Sequence, residues 1–343
     1  MATRGSAMLA TWHFHIEISS KCTLRCPRCA RQEVPDSLIN TELGLDFFKR
    51  NFTPEFILSN LEKITFCGDD GDPVYAHDLI EVIRYIKDVK PVEIVIVTNG
   101  SHKKIAWWQE LGSVLTDKDT VHFSIDGYNN DSNNLYRVNS DFDSIIAGIR
   151  ALKNASTCRL VWAAIAFKFN EDQLENMQSQ AADLKMDAFQ LTLSTKFGKV
   201  YPGYGTVDVL QPSDRYVSGS YRFERNITVL SDRGLNTEIK PINLDLFKQT
   251  PTQNTVTPLC EIGNKGLYID ARGRLFPCCW VANRYAHNIE WQQLAEQFNL
   301  QTRTLKDVVT DDFWNTTFKT FRWQECQTKC NSKKVTENYA TEW

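Results

Sequence analysis

The stretch EISSKCTLRCPRCARQ, Glu17 to Gln32, places Cys22, Cys26 and Cys29 at the spacing Cys-x3-Cys-x2-Cys. Three thiolates can hold three corners of a 4Fe-4S cube and leave the fourth iron open to a ligand, whereas structural clusters take four cysteines. A zinc site instead needs a fourth thiolate or imidazole about two to four residues away. The residues there are Arg31, Gln32 and Glu33. A second set of thiols stands near the C-terminus: Cys260, Cys278 and Cys279, then Cys326 and Cys330. Cys67 and Cys158 are isolated in sequence, as small buried apolar side chains commonly are. Ten cysteines in a chain without a signal peptide read as metal ligands or reactive thiols before they read as disulfides.

The elements that must position these groups follow from periodicity. HFHIEIS (13–19), KITFCG (63–68), VEIVIVTNG (92–100), TVHFSIDG (120–127), RLVWAAIAFKF (159–169) and AFQLTLS (188–194) are β-branched or apolar runs. Between several of them, 76–89, 142–154 and 170–185 carry apolar residues at helical spacing. Strands alternating with helices predict an α/β fold with a parallel sheet, either a barrel or an open sheet. Ser19, Gly68, Asn99, Asp126 and Ser194 end strands, at the edge where parallel β/α folds bind ligands. Past about residue 200 the helical alternation stops and Pro, Gly and Thr become frequent, so a second module is expected. The expected domains are 1–225 and 226–343.

With strand, cysteine loop and spacing in place, the chain resembles the radical S-adenosylmethionine (SAM) superfamily, whose hallmark is Cys-x3-Cys-x-aromatic-Cys after the first strand. The resemblance implies a partial (β/α)6 TIM-like barrel, a 4Fe-4S cluster on Cys22, Cys26 and Cys29, and SAM on the open iron. Arg28 stands where that family carries an aromatic beside the adenine. In FCGDDGDPVY, Gly71, Asp72 and Pro73 take the place of a Gly-Gly-Glu-Pro-like stretch that holds the SAM amino group. An ammonium needs oxygen acceptors, which backbone carbonyls and Asp72 can offer. In SIDGYNNDSNNLYRVNSDF the resemblance puts Ser124 near the ribose or carboxylate of SAM and Arg137 on the carboxylate, a match for a planar guanidinium. Asp126 would face the same cavity, and Asn99 of TNGS would line it. Asp126, Cys67 and Asp70 are the candidates for a direct part in the chemistry.

From Cys260 the sequence CEIGNKGLYIDARGRLFPCCW resembles the opening of a SPASM/twitch module, with GLYID and GRLFP as hairpin strands and Gly273 in the turn. The resemblance implies a second, auxiliary 4Fe-4S cluster on Cys260, Cys278, Cys326 and Cys330, with Cys279 as an alternative ligand; a zinc ribbon would use the same thiols. Four thiolates leave no open iron, so such a cluster would carry electrons. The implied activity is reductive SAM cleavage to a 5'-deoxyadenosyl radical that takes a hydrogen from a peptide, protein or small molecule. A flavodoxin- or ferredoxin-type protein would be the electron donor. Peptide maturases often carry an N-terminal leader-binding domain; only 21 residues precede Cys22, which lowers the case for leader recognition in cis without excluding a separate partner protein.

A formal charge of −3 gives no basic field for nucleic acid and argues mildly against nucleic-acid modification. No apolar run is long enough to span a bilayer and the N-terminus lacks a signal-peptide core, so no membrane partner and a cytoplasmic location are expected. A zinc-stapled binding module remains the non-enzyme alternative. It predicts colourless protein where the enzyme reading predicts brown, oxygen-sensitive protein.

Overall fold

The computed structural model describes residues 12–194, 196–197, 208–216, 225–229, 267–287, 295–312 and 314. Six strands follow one another in the sheet in chain order: β1 (Trp12–Ile16), β2 (Leu61–Phe66), β3 (Glu93–Thr98), β4 (Thr120–Ser124), β5 (Arg159–Ile165) and β6 (Ala188–Thr192). The pairs β1–β2, β4–β5 and β5–β6 are parallel, as helical crossovers require. Three more strands, β7 (Arg225–Val229), β8 (Leu267–Ile269) and β9 (Leu275–Phe276), complete the order β7-β6-β5-β4-β3-β2-β1-β8-β9. The sheet stays open, as a partial TIM-like barrel of the radical SAM type. All six strands expected from periodicity are present, each ending shortly before its apolar run does.

Ten helices are described: α1 (Ala30–Glu33), α2 (Leu45–Asn51), α3 (Pro54–Asn60), α4 (Leu79–Val89), α5 (Ile105–Val114), α6 (Asn130–Asn134), α7 (Phe142–Ala155), α8 (Leu174–Asp183), α9 (Cys279–Tyr285) and α10 (Leu305–Val309). The predicted crossovers are α4, α7 and α8. The pair α2–α3 has no counterpart among the sequence expectations, because two seven-residue helices broken at Thr53-Pro54 are too short to display a period. Thr53 caps α3 by accepting from Phe56 N at 3.3 Å, with Pro54 at the first helical position.

The chain forms two compact units. One comprises Met1–Lys21, Ile39–Val95 and Asn254–Trp343; the other comprises Cys22–Leu38 and Ile96–Gln253. In the first, β1 alternates: Phe14 and Ile16 are buried, and Phe14 meets Phe52 edge-on at 5.1 Å. His13, His15 and Glu17 point to the opposite face. His15 pairs with Thr65 on β2 and Tyr268 on β8, whose ring lies 4.9 Å away. The GLYID and GRLFP segments do form a hairpin, β8–β9, with Gly273 in the left-handed region at φ 85°. Nothing in the local pattern foretells that β8 adds in parallel to β1. In the second unit, α5 and α7 pack together, burying Trp108, Leu111, Ile149 and Leu152. Among the described residues no helix is long and apolar enough to cross a membrane.

Candidate active site

The first cysteine loop belongs to the second unit. Cys29 N donates to Cys26 O at 3.1 Å and Gln32 N to Cys29 O at 3.0 Å, so the last two cysteines sit on consecutive tight turns running into α1. The loop is pinned to the segment after α6: Arg25 N donates to Val138 O at 3.0 Å and Asn139 Nδ2 to Thr23 O at 2.9 Å. Cys26 is buried with Leu24, Tyr136, Phe167 and Leu210, and Cys22 and Cys29 pack against that apolar group. Asn99 Nδ2 points at Cys22 Sγ from 3.8 Å.

Burial pushes the Cys26 thiol up while the Arg137 guanidinium pulls it down. Cys29 is pushed up to about 11, first by burial and then by the neighbouring Cys26. Buried thiols side by side need a cationic centre to become thiolates together, and iron supplies one. Among the described residues no three His, Cys, Asp or Glu side chains converge on a single ion. Soft donors in one loop, an apolar wall and a nearby guanidinium fit a 4Fe-4S cluster on Cys22, Cys26 and Cys29.

Asp126, just past β4, is fully buried. Its Oδ2 accepts from Arg137 Nε at 2.6 Å and its Oδ1 from Ile165 N at 2.6 Å. The Asp126 and Gly127 N–H groups both donate to Asn133 Oδ1 at 3.0 Å, and Asn170 Nδ2 donates to Asp126 O at 2.8 Å. Burial lowers the Arg137 pKa, but the charge and hydrogen bond of Asp126 together with Cys26 and Tyr136 outweigh it, so the net shift is upward. Asp126 thus orients Arg137, a fixed cation beside Cys26. Asn99 Oδ1 accepts from Ser101 N at 2.9 Å, and Ser124 closes β4, half-buried. Sequence reasoning missed Asn133 and Asn170. Asn133 stands one helical turn before Arg137, a spacing that could have exposed it.

Arg28 does not behave as its aromatic counterpart would. It is buried, with Nη2 2.6 Å from Asp208 Oδ2, and Lys196 Nζ donates to its carbonyl at 3.4 Å. A buried guanidinium needs such a partner, and one 180 residues away is invisible in local sequence.

The GDDGDP loop belongs to the first unit. Glu17, at the end of β1, accepts through Oε1 from Asp70 N at 2.6 Å and Gly71 N at 2.9 Å. Asp72 N donates to Lys21 O at 3.0 Å, and Asp72 Oδ1 accepts from Val74 N at 3.1 Å to start a 3-10 turn at Pro73. Gly71 is required sterically, since a Cβ there would run into the backbone of Ser19 and Ser20. Asp70 Oδ2 lies 2.9 Å from His287 Nε2. Burial, followed by the charges of Asp70 and Asp69, pushes the Glu17 carboxyl well above the usual carboxylate range.

Cys67 follows β2, half-buried. Cys279 is half-buried at the start of α9; loss of solvent pushes its thiol up, and Cys278, Asp69 and Cys67 add to the push. Cys67 is therefore near the second thiol set, a proximity its solitary place in sequence concealed. Cys260, Cys326 and Cys330 lie outside the described residues.

The Radical SAM superfamily model matches residues 16–178, the segment that holds the cysteine loop, the GDDGDP loop and Arg137. That match supports a place in the radical SAM superfamily for this segment, and such a domain implies a 4Fe-4S cluster and SAM as cofactors. In fold it is similar to Streptococcus suis SuiB bound to S-adenosylmethionine, with a TM-score of 0.57 at 15% identity, covering 92% of this chain and 69% of that one. The structure of SuiB bound to the precursor peptide SuiA gives 0.58 at 15% identity, covering 93% and 69%. Tagged anSMEcpe with bound AdoMet is also similar, at 0.51 and 14% identity over 95% of this chain and 88% of that one. At such identities the likeness is one of fold. A curated relative, the GTPase Obg of Brachyspira hyodysenteriae, is 28% identical over 143 residues, 40% of this chain, and the chain spans 20% of that protein's length. The sequence has no Gly-x4-Gly-Lys-Ser/Thr phosphate loop.

Proposed function

We propose that this protein cleaves SAM reductively and removes a hydrogen from a peptide or protein side chain, in a net oxidative modification. The observation that carries the reading is the gathering of Cys22, Cys26 and Cys29 in one buried-edged loop beside Asn99 and the Asp126-oriented Arg137. When bound, the cluster and SAM supply one-electron cleavage to a 5'-deoxyadenosyl radical, a chemistry no side chain offers. The protein binds, orients and excludes water. By the family resemblance Arg137 would take the SAM carboxylate, Ser124 would lie near the ribose or carboxylate and Asn99 would line the pocket. The same resemblance gives the Gly71-Asp72-Pro73 loop the affinity for an ammonium. Leu24, Tyr136 and Phe167 keep the cluster edge dry.

In this reading the chain divides into a radical SAM barrel, 1–225, and a twitch-like module, 226–343, holding an auxiliary 4Fe-4S cluster on Cys260, Cys278, Cys326 and Cys330. The β8–β9 hairpin leading into Cys278 supports that module. The auxiliary cluster would receive the electron left on the substrate, and a flavodoxin- or ferredoxin-type donor would reduce the first. The fold likeness to SuiB, whose structure with a precursor peptide is known, supports the peptide class.

The test is turnover under anaerobic conditions with reductant, SAM and a library of peptides. One 5'-deoxyadenosine and one methionine per modified peptide, with a loss of about two mass units, are expected. Deoxyadenosine formation that no peptide stimulates and that leaves every peptide mass unchanged would refute the substrate class.

A further inference from the structure

The GDDGDP loop is held by a residue that no motif names. Glu17 is 3% exposed, and a single oxygen, Oε1, accepts from both Asp70 N and Gly71 N. Its other oxygen, Oε2, accepts from Tyr268 OH at 3.2 Å. Asp72 N is engaged by Lys21 O. Three successive N–H groups are therefore satisfied inside the protein, and none of them is left to repel an ammonium. The contact is tight: a Cβ on Gly68 would lie 2.8 Å from Glu17 Cγ.

Glu17 is in turn fixed by the C-terminal part of the chain. Its own N–H donates to Ile269 O at 2.8 Å, and β8 runs parallel to β1 with Tyr268 opposite His15. His287, two residues beyond α9, reaches Asp70 in the same loop. Two side chains flanking Cys278 and Cys279 in sequence thus support a loop that lies far earlier in the chain.

We propose that Glu17 is a positioning residue for SAM binding: its carboxyl, braced by Tyr268, sets the loop Gly68–Asp72 in the shape that receives an amino-acid ammonium. The hairpin that leads toward the second thiol set is part of the SAM-binding framework. The inference rests on the reading that this loop takes the amino group of SAM.

The experiment uses the full-length protein reconstituted anaerobically, with SAM affinity measured by equilibrium dialysis and amide exchange of residues 68–72 measured with and without SAM. Glu17→Gln keeps an acceptor at Oε1 and is expected within about 3-fold of wild-type affinity. Glu17→Ala removes it and is expected to weaken SAM about 10-fold or more at unchanged iron content. Tyr268→Phe, a small change that decides the matter if Glu17→Ala does not fold, is expected to weaken SAM about 3- to 10-fold and to speed exchange at Asp70 and Gly71 even without SAM. Wild-type affinity and unchanged loop exchange in Tyr268→Phe and Glu17→Ala would overturn the proposal. Wild-type protein that holds its cluster and binds no SAM would overturn the ligand reading instead, while the exchange rates still report whether Glu17 shapes the loop.

Discussion

His15 shows how the polar face of β1 constrains a single side chain. Burial lowers its pKa from 6.5 to about 4, against the opposing effect of a hydrogen bond with the Cys67 backbone. The unfolded chain therefore binds the proton more readily than the folded one between those values, and stability falls as pH drops from 6.5 toward 4. Between pH 7 and pH 5 this one group accounts for a loss of ~2 kcal/mol. Urea unfolding at both pH values should show His15→Gln losing that much less than wild type on acidification; equal losses would contradict a buried neutral imidazole. Asp126 makes the opposite case: burial pushes its carboxyl up, and Arg137, 2.6 Å away, pulls it back down. Asp126→Ala leaves a cation with no anion beside it and should cost about 3–5 kcal/mol in the same assay. Arg137→Ala and the double variant complete a cycle, and a coupling near zero would remove Asp126 as the orienting group.

At the scale of elements, the GDDGDP loop is where geometry is least forgiving. A methyl group on Gly71 meets the Ser19 and Ser20 backbone, which cannot swing aside as a side chain can. Gly71→Ala is expected to destabilise by about 1–3 kcal/mol and to weaken SAM binding at least about 10-fold; thermal melting and dialysis check the two effects separately. The strands and the crossovers α4, α7 and α8 were legible because each repeats a period over about ten residues or more, or is a β-branched run bounded by a turn. The cysteine loop was proposed from its spacing, and Asn99 and Arg137 from the family resemblance; the structure sets Asn99 near Cys22 and Arg137 against Asp126. Glu17, Arg28 and the β1–β8 pairing were not legible. Each depends on a partner far along the sequence, at Asp70, Asp208 or Tyr268, and local pattern holds no record of such pairings. Cys67 belongs with them, read as solitary and found near Cys279.

For the whole molecule, the sheet order sets β8–β9 directly on the β1 edge, so the hairpin before Cys278 is part of the same sheet as the first strand. In the proposed reading each chain holds about eight iron atoms, as two 4Fe-4S clusters require. Cys26→Ala should retain about four of them and lose SAM cleavage, the two sites being loaded independently. The most direct trial of the central claim is Mössbauer spectroscopy of anaerobically reconstituted protein, followed by dithionite and SAM on the same sample. A cubane signal that changes when SAM is added, with 5'-deoxyadenosine then accumulating, is the predicted result. Zinc in place of iron, or a cubane signal indifferent to SAM with no deoxyadenosine formed, would contradict it.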